Sequence, residues 1–223
     1  SGMPSFTIGG STSDATHYKI LTAASGYGFK DHADAATNPL RFDTSKGVGW
    51  SGGDDYGAGC VLNEAYARLV GLQIKLTTGT ATGIKIAAYN VLIDGCIVES
   101  AHDRARLLFN SAGYTVTLKN SVFYGRGETQ ENAPLYLYRG TAINCVFAQY
   151  SDIGSKSSYL IFGNYSSITL TNCGLFGSSA AKGGSSSLSA TNCYTDQSSP
   201  PSGFTTVAFD TSTGSGFEGT SST

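Results

Sequence analysis

The 223-residue chain has 14 Lys and Arg against 16 Asp and Glu, a formal net charge of −2, and only 13% of its residues are charged. This balance excludes the strongly basic surface on which nucleic-acid binding depends. Hydrophobic residues make up 40% of the chain, and 29 Gly, 13 Tyr and 11 Phe accompany abundant Ser and Thr. Because these residue types favour strands and tight turns over helices, the composition predicts a single all-β domain.

The first 60 residues contain two short patterned stretches among loops. Residues 12–26 read TSDATHYKILTAASG and residues 40–47 read LRFDTSKG. Residues 27–60 are predicted to be loops around a short strand at Arg41 and Phe42. The Gly-rich loop GGDDYG at residues 52–57 has oxygen ligands suited to calcium, but it lacks the other ligands of a calcium loop, so the sequence predicts a turn and no metal site or cofactor.

An internal repeat begins at residue 67 and continues to residue 195. Its units align on a Gly or Asn that separates two short apolar runs, and consecutive anchors are 24, 25, 24, 28 and 20 residues apart. This period is one turn of a solenoid with loops of varying length. The sequence therefore predicts about six stacked coils, with bends at Gly71, Gly95, Asn120, Asn144, Asn172 and Asn192.

Gly and Asn are the residues that most readily adopt positive φ, which a sharp bend between two strands requires. On both sides of the bend, alternate positions form apolar columns in which like residues recur from unit to unit. One column holds Leu72, Cys96, Ser121, Cys145, Cys173 and Cys193. Four of the five cysteines therefore point inward, and we interpret all five as buried free thiols that pack, with no metal or redox role.

This pattern resembles the pectate-lyase-like superfamily of right-handed parallel β-helices, in which such a bend commonly has stacked asparagines. The four Asn of the bend match that feature, and Gly71 and Gly95 depart from it. The stretches at 12–26 and 40–47 are similar to the opening coils of β-helical structural proteins of tailed bacteriophages. We therefore expect an all-β, right-handed parallel β-helix over residues 1–196, followed by a C-terminal cap and a Ser, Thr and Gly-rich tail over residues 197–223.

Enzymes that cleave polysaccharides on this fold need paired carboxylates or a base beside carboxylates. On the first strand of each coil, alternation predicts outward side chains that include no carboxylate: Lys85, Arg106, Leu108, Tyr136, Tyr138, Tyr159 and Ile161. Charged residues gather instead in loops after the third strand, and they are weak catalytic candidates: Glu99, His102, Asp103, Arg126, Glu128 and Asp152. Since polar loops are usual on a solenoid, the sequence favours a protein without catalysis.

Two other surfaces are candidates for binding. Tyr136, Tyr138 and Tyr159 are a candidate platform for sugar rings, although aromatic residues are also good strand formers. Two residues after each bend, Ile97, Val122 and Val146 predict an apolar strip that the chain's own loops or a neighbouring subunit would cover.

The resemblance implies a non-enzymatic structural component of a bacteriophage virion, either a capsid decoration or spike element or a tail protein, assembled in the bacterial cytoplasm. Its partners would be other virion proteins, further copies of itself in a homotrimer, and host surface polysaccharide. The sequence shows no membrane span or signal peptide and predicts no nucleic-acid partner. The alternatives are a polysaccharide depolymerase or lyase of a phage tailspike, and a glycan-binding adhesin.

Overall fold

The computed structural model describes residues 6–22, 25, 41–43, 58–76, 82–100, 106–110, 113–126, 135–150, 159–162, 167–177, 180–183 and 187–207. Within these residues every regular element is a β-strand. In chain order the strands are β1 (Phe6–Ile8), β2 (Ile20–Thr22), β3 (Arg41–Asp43), β4 (Ala58–Leu62), β5 (Arg68–Val70), β6 (Gln73–Leu76), β7 (Thr82–Ile86), β8 (Val91–Asp94), β9 (Ile97–Ser100), β10 (Arg106–Asn110), β11 (Thr115–Lys119), β12 (Val122–Arg126), β13 (Leu135–Tyr136), β14 (Arg139–Ile143), β15 (Val146–Tyr150), β16 (Tyr159–Phe162), β17 (Ser167–Thr171), β18 (Gly174–Phe176), β19 (Ala180–Gly183), β20 (Ser187–Thr191), β21 (Cys193–Thr195) and β22 (Phe204–Thr206).

The strands form three parallel sheets, and each coil of the chain adds one strand to each sheet in turn. The first sheet has the order β1-β4-β7-β10-β13-β16-β19, and the second has the order β2-β5-β8-β11-β14-β17-β20. The third sheet has the order β22-β21-β18-β15-β12-β9-β6-β3. All pairings between neighbours are parallel, as in β7, β8 and β9 against β10, β11 and β12. The chain is therefore an all-β parallel solenoid, which confirms the predicted fold class.

The sheets also include strands outside the repeat found in the sequence. Strands β1 to β4 pair in register with the coils that follow them, and β4 lies partly within the segment for which the sequence predicts loops. At the other end, β22 pairs with β21 and extends the third sheet by one strand. The described strands of the solenoid thus extend from Phe6 to Thr206.

The bends between the second and third sheets are the most regular feature of the coils. All six anchor residues have positive φ, between 49° and 68°: Gly71, Gly95, Asn120, Asn144, Asn172 and Asn192. The amide N–H of each of the first five anchors donates to the carbonyl of the residue just before the next bend, at 2.9–3.0 Å. Because each of these amides bonds to the next coil, the ladder of backbone hydrogen bonds between coils continues through the corner.

The interior consists of stacked columns of like side chains, one residue from each coil. On the third sheet the column runs Ile74, Val98, Phe123, Phe147, Leu175 and Thr195, and every member is at most 1% exposed. The Phe123 and Phe147 rings stack with centroids 5.5 Å apart and planes 24° apart. Each buried apolar side chain of this size contributes about 1.5–3 kcal/mol to stability. The core columns therefore supply much of the stability of the solenoid.

The cysteines are free and buried, which agrees with their interpretation as packing residues. Burial raises the pKa of the Cys96 thiol to about 12, and it also raises the pKa of Cys60. A hydrogen bond with Cys173, together with burial, raises the pKa of the Cys145 thiol. Cys173 is only 1% exposed, and its thiol donates to the carbonyls of Ala142 and Thr171 at 3.4 and 3.3 Å, as expected of a thiol that packs in the core.

A ladder of exposed side-chain amides runs along the outside of the bend. Asn172 Nδ2 donates to Asn144 Oδ1 at 3.2 Å, and Asn144 Nδ2 donates to Asn120 Oδ1 at 3.2 Å. Asn120 Nδ2 in turn donates to Asp94 Oδ1 at 2.9 Å. Gly95, which occupies the bend of that coil, has no side chain, so the carboxylate one residue earlier serves as the acceptor. The asparagines therefore combine a tolerated positive φ with hydrogen bonds between coils.

The N-terminal segment contacts the following coil through Glu64, which is only 4% exposed. Its carboxylate accepts hydrogen bonds from the Ser11 amide at 3.0 Å and from the Ser11 and Ser13 hydroxyls at 3.1 and 2.7 Å. These hydrogen bonds, the Ser11 amide foremost, hold the pKa of Glu64 below its usual range. Lys19 adds a hydrogen bond from Nζ to the Gly9 carbonyl at 3.1 Å. These polar contacts therefore join the segment to the solenoid, in addition to the packing of Phe6, Ile8 and Leu21 against the core.

The bend leads to a prediction about stability. Replacing Asn172 by Val should lower the free energy of unfolding by about 2 kcal/mol or more, because a β-branched residue is strained at positive φ and the ladder loses its amide. Chemical denaturation of the purified chain would measure the change.

Two further variants separate the causes. Asn172→Gly keeps the backbone relaxed and removes only the amide, so it should cost less than Asn172→Val. Thr169→Val changes an exposed β-branched residue on β17, the strand that ends just before this bend, and should leave stability nearly unaltered. Equal losses in the Val and Gly variants would show that backbone strain at this bend is unimportant.

Candidate functional site

The outer face of the first sheet presents a row of aromatic and cationic side chains. In β7, β10 and β13 the inward positions are filled by Ile84, Leu108 and Leu135, all 0% exposed. The residues that follow them, Lys85, Phe109 and Tyr136, pair in register across the three strands and are half-buried. Leu137 is 1% exposed and Tyr138 is half-buried, so the alternation continues beyond β13. The first sheet therefore has an apolar inner face and an aromatic outer face.

Four side chains on this face form a contiguous cluster, which we call the aromatic platform: Arg106, Phe109, Tyr136 and Tyr138. The Phe109 and Tyr136 rings have centroids 5.1 Å apart and planes 42° apart, and the Tyr136 and Tyr138 centroids are 6.4 Å apart. Arg106 Cζ lies 5.0 Å from the Phe109 centroid and 5.5 Å from that of Tyr136. These distances are typical of tilted aromatic pairs and of cation–π contacts. The platform thus combines two kinds of binding group on one rigid sheet.

The structure corrects part of the outward face that alternation predicts. Leu108 and Ile161 are 0% exposed and lie in register with Leu135, so both point into the core. Phe109, which the sequence pattern missed, takes the outward position. The cause is that Leu107 and Leu108 are both buried in succession, which breaks the simple alternation on which the prediction rested. The side chain of Tyr159 is not among those that the structure describes, so its place on the platform stays a prediction.

The weak catalytic candidates are only partly within the described residues. Glu99 is half-buried on β9, and its Cα is paired with those of Lys75 and Tyr124. Arg126 ends β12 opposite Tyr150, and its side chain lies outside the description. His102, Asp103, Glu128 and Asp152 lie outside the described residues altogether. The structure therefore shows no carboxylate pair among the described members of this group.

A second surface is the outer strip of the third sheet, formed by the residues two positions after each bend: Gln73, Ile97, Val122, Val146, Gly174 and Tyr194. These residues pair in one register column. Ile97, Val122 and Val146 are half-buried, Tyr194 is 48% exposed, and Gln73 is only 2% exposed. Three apolar side chains in successive coils therefore share a partly accessible strip.

The strip is interrupted at Gly174, where a groove of about 400 Å³ lies between Val146 and Tyr194. The Phe176 ring occupies the space that a side chain at position 174 would need, since a Cβ there would overlap the ring. Asn144, Asn172 and Val207 complete the walls of the groove. The groove is therefore lined by apolar groups with two amides of the bend ladder at one side.

No three His, Cys, Asp or Glu side chains are grouped as metal ligands within the described part of the chain. Those residues also include no helix of the length and apolar character that crossing a membrane requires. His17 contacts Asp14, with Nδ1 3.2 Å from the carboxylate, and both side chains are largely exposed. Hydrogen bonds from Thr16 and His17 lower the pKa of Asp14 to about 2. The same hydrogen bonds close a local turn at the surface.

Comparison of the chain with protein-family models, with curated proteins and with solved structures found no match. The aromatic platform and the outer strip are therefore characterised by their own geometry.

The first-sheet surface leads to a prediction about catalysis. Its described outward side chains supply aromatic rings and cations but no carboxylate, so the purified protein should leave bacterial capsular and outer-membrane polysaccharides uncut. Assays for new reducing ends and for unsaturated uronates would measure cleavage, with an active lyase as the positive control. Cleavage that disappears in Asp103→Asn or Glu128→Gln would instead show that the loops after the third strand form an active site.

Proposed function

We propose that the chain is a non-enzymatic structural component of a bacteriophage virion, either a capsid decoration or spike element or a tail protein. The observation that carries the proposal is the parallel pairing of the three sheets, in which six successive coils repeat the same bend and the same core columns. Such a solenoid is a stiff rod, since each inner coil bonds to both neighbours through its strands in all three sheets. Stiffness of this kind suits a projecting part of a particle.

One feature of the sequence supports the virion in particular. The stretches at residues 12–26 and 40–47 resemble the opening coils of phage β-helical structural proteins, and β2 and β3 lie within them. The bend column of Asn120, Asn144, Asn172 and Asn192 resembles that of the wider β-helix superfamily, and it supports the fold alone. The proposal thus combines an observed architecture with a sequence resemblance that is more specific than the architecture.

We further propose that the protein self-associates as a homotrimer through the outer strip. Ile97, Val122 and Val146 form an apolar column along the third sheet, and Tyr194 continues it beyond Gly174. A straight strip on a stiff rod buries area with little loss of chain entropy when rods pack side by side about a symmetry axis. Other virion proteins and host surface polysaccharide are the further partners that this function implies.

The virion assignment is tested with particles. Antibodies raised against the purified chain should label intact phage particles from a lysate that contains this protein, and mass spectrometry of gradient-purified particles should detect the chain at a fixed stoichiometry to the major capsid protein. Host membrane fragments from the same gradient provide the control fraction. Detection only in the soluble fraction, free of particles, would contradict a structural role in the virion.

Self-association leads to a separate prediction. The parent chain should sediment as a trimer at micromolar concentration, and Val122→Lys should shift it toward monomer because the strip would then have to bury an ammonium group. Analytical ultracentrifugation measures both. Thr117→Lys introduces the same ammonium group at a half-buried outward residue of the same coil, but on the second sheet. This variant should leave the trimer intact. A strictly monomeric parent, or a Val122→Lys chain that stays trimeric, would exclude this strip as the contact.

A further inference from the structure

We propose that the phenol ring of Tyr194 inserts into the Gly174 groove of a second copy of the chain, so that each copy gives one ring and receives one. The Gly174 groove is the recess of about 400 Å³ on the outer strip, between Val146 and Tyr194. The proposal rests on the homotrimer proposed above. It adds the contact that fixes the height of one rod against the next, which a uniform apolar strip would leave free to slide.

Tyr194 projects from the third sheet without a partner in the part of the chain that the structure describes. It is 48% exposed, and its phenol makes no hydrogen bond and its ring no aromatic contact with the described residues. The other exposed tyrosines differ in this respect, since Tyr18 contacts Arg68 and Tyr89 contacts Tyr114. A large apolar ring with a polar tip is the kind of side chain that is enriched at protein–protein interfaces.

The Gly174 groove suits a side chain of the same kind. The groove opens where Gly174 has no side chain, and the Phe176 ring lies against this glycine. Val146, Phe176 and Val207 give the groove apolar walls, and none of the described residues that line it is charged. A charged group would lose its hydration there without gaining a counter-ion. A neutral, flat ring is therefore the occupant that the walls favour.

One side of the groove offers a hydrogen-bond acceptor to the hydroxyl of such a ring. Asn172 lines the groove, and its Nδ2 donates to Asn144 Oδ1 at 3.2 Å. By the pattern of the ladder, Asn192 would donate to Asn172 Oδ1, but no such hydrogen bond forms among the described residues. Asn172 Oδ1 therefore ends the ladder without a donor from the described part of the chain. A phenol has one O–H to donate, so the ring of a second copy would supply that donor.

The ring and the groove are placed so that a symmetric assembly can join them. Tyr194 pairs in register with Gly174, so the ring is one coil, about 4.7–4.9 Å, beyond the groove. Parallel rods about a three-fold axis bring each strip beside the next at equal height, and a tyrosine side chain is long enough to reach one coil along its neighbour. Each contact joins a ring to a groove, and three such heterologous contacts close the trimer.

Analytical ultracentrifugation over a range of chain concentrations tests the contact, and its measure is the concentration at which half of the chain is trimeric. Tyr194→Ala should raise this concentration about tenfold or more, as expected when a central interface tyrosine is truncated. Tyr194→Phe keeps the ring and loses only the hydroxyl, so it should raise the concentration by a smaller factor. The matched control is Tyr89→Ala. Tyr89 is 52% exposed between β7 and β8, away from the strip, and its truncation should leave the trimer unchanged.

A groove-filling variant separates this contact from general hydrophobicity. Val207→Trp enlarges an apolar wall residue, so its indole should occupy the groove and exclude the ring of the second copy. The half-trimer concentration should therefore rise, although the surface becomes more apolar. If apolar area alone held the copies together, the same substitution would strengthen the trimer. Only variants that melt like the parent are compared.

Photo-crosslinking identifies the occupant of the groove directly. Tyr194 is replaced by p-azidophenylalanine, which is close to tyrosine in size, and isotopically light and heavy chains are mixed and left to exchange subunits before irradiation. Crosslinked peptides should join one light and one heavy chain, and the peptide from the receiving chain should contain Asn172, Phe176 or Val207.

Three results would overturn the proposal, and they differ in what else they exclude. Crosslinks within one chain to residues 208–223 would assign the groove to the chain's own C-terminal tail. A trimer that Val122→Lys dissociates, but that Tyr194→Ala and Val207→Trp leave unchanged, would exclude this contact and keep the trimer. A strictly monomeric parent would exclude the trimer and this contact together.

Discussion

The parallel backbone ladder at the bend is the constraint on which the rest of the structure depends. Six anchor residues have φ between 49° and 68°, and the amide of each of the first five bonds to the coil that follows. If one bend changed its geometry, the strand after it would shift in register, and a shift of one residue would turn its core side chains outward. The core columns, the amide ladder and both candidate binding faces therefore follow from a conformation that only Gly and Asn adopt at low cost.

The sequence predicted this part of the structure because the bend imposes a chemical choice at one position in each coil. Gly or Asn recurs at all six anchors, and the apolar columns beside them lie at a constant distance from it. The first sheet offers no such fixed reference. Lys85, Phe109 and Tyr136 share one register, yet they precede their bends by 10, 11 and 8 residues. Because the intervening turns differ in length, counting back from the bend could not identify the outward residues.

The aromatic platform illustrates the same limit at the level of side chains. The run Arg106-Leu107-Leu108-Phe109 contains three consecutive apolar residues, so its pattern fits either face of a strand. Only the pairing of Leu108 with Ile84 and Leu135 shows that Phe109 points outward. The approach of Arg106 to two rings from neighbouring coils is a contact between distant parts of the chain, and no local pattern encodes it. Tyr136 and Tyr138 were accessible to sequence reasoning because alternation does hold around them.

The amide ladder has a direction, and this direction bears on how such a chain can lengthen in evolution. Asn120, Asn144 and Asn172 each donate toward the N-terminus, and the series ends at Asp94, whose carboxylate accepts without needing to donate. A duplicated coil inserted after Asn120 would receive a donor from the next coil and find an acceptor in the previous one, so no amide would be left unpaired. The Asp94 carboxylate thus marks the fixed origin of the series, and the coils that follow it form a modular array that duplication can extend.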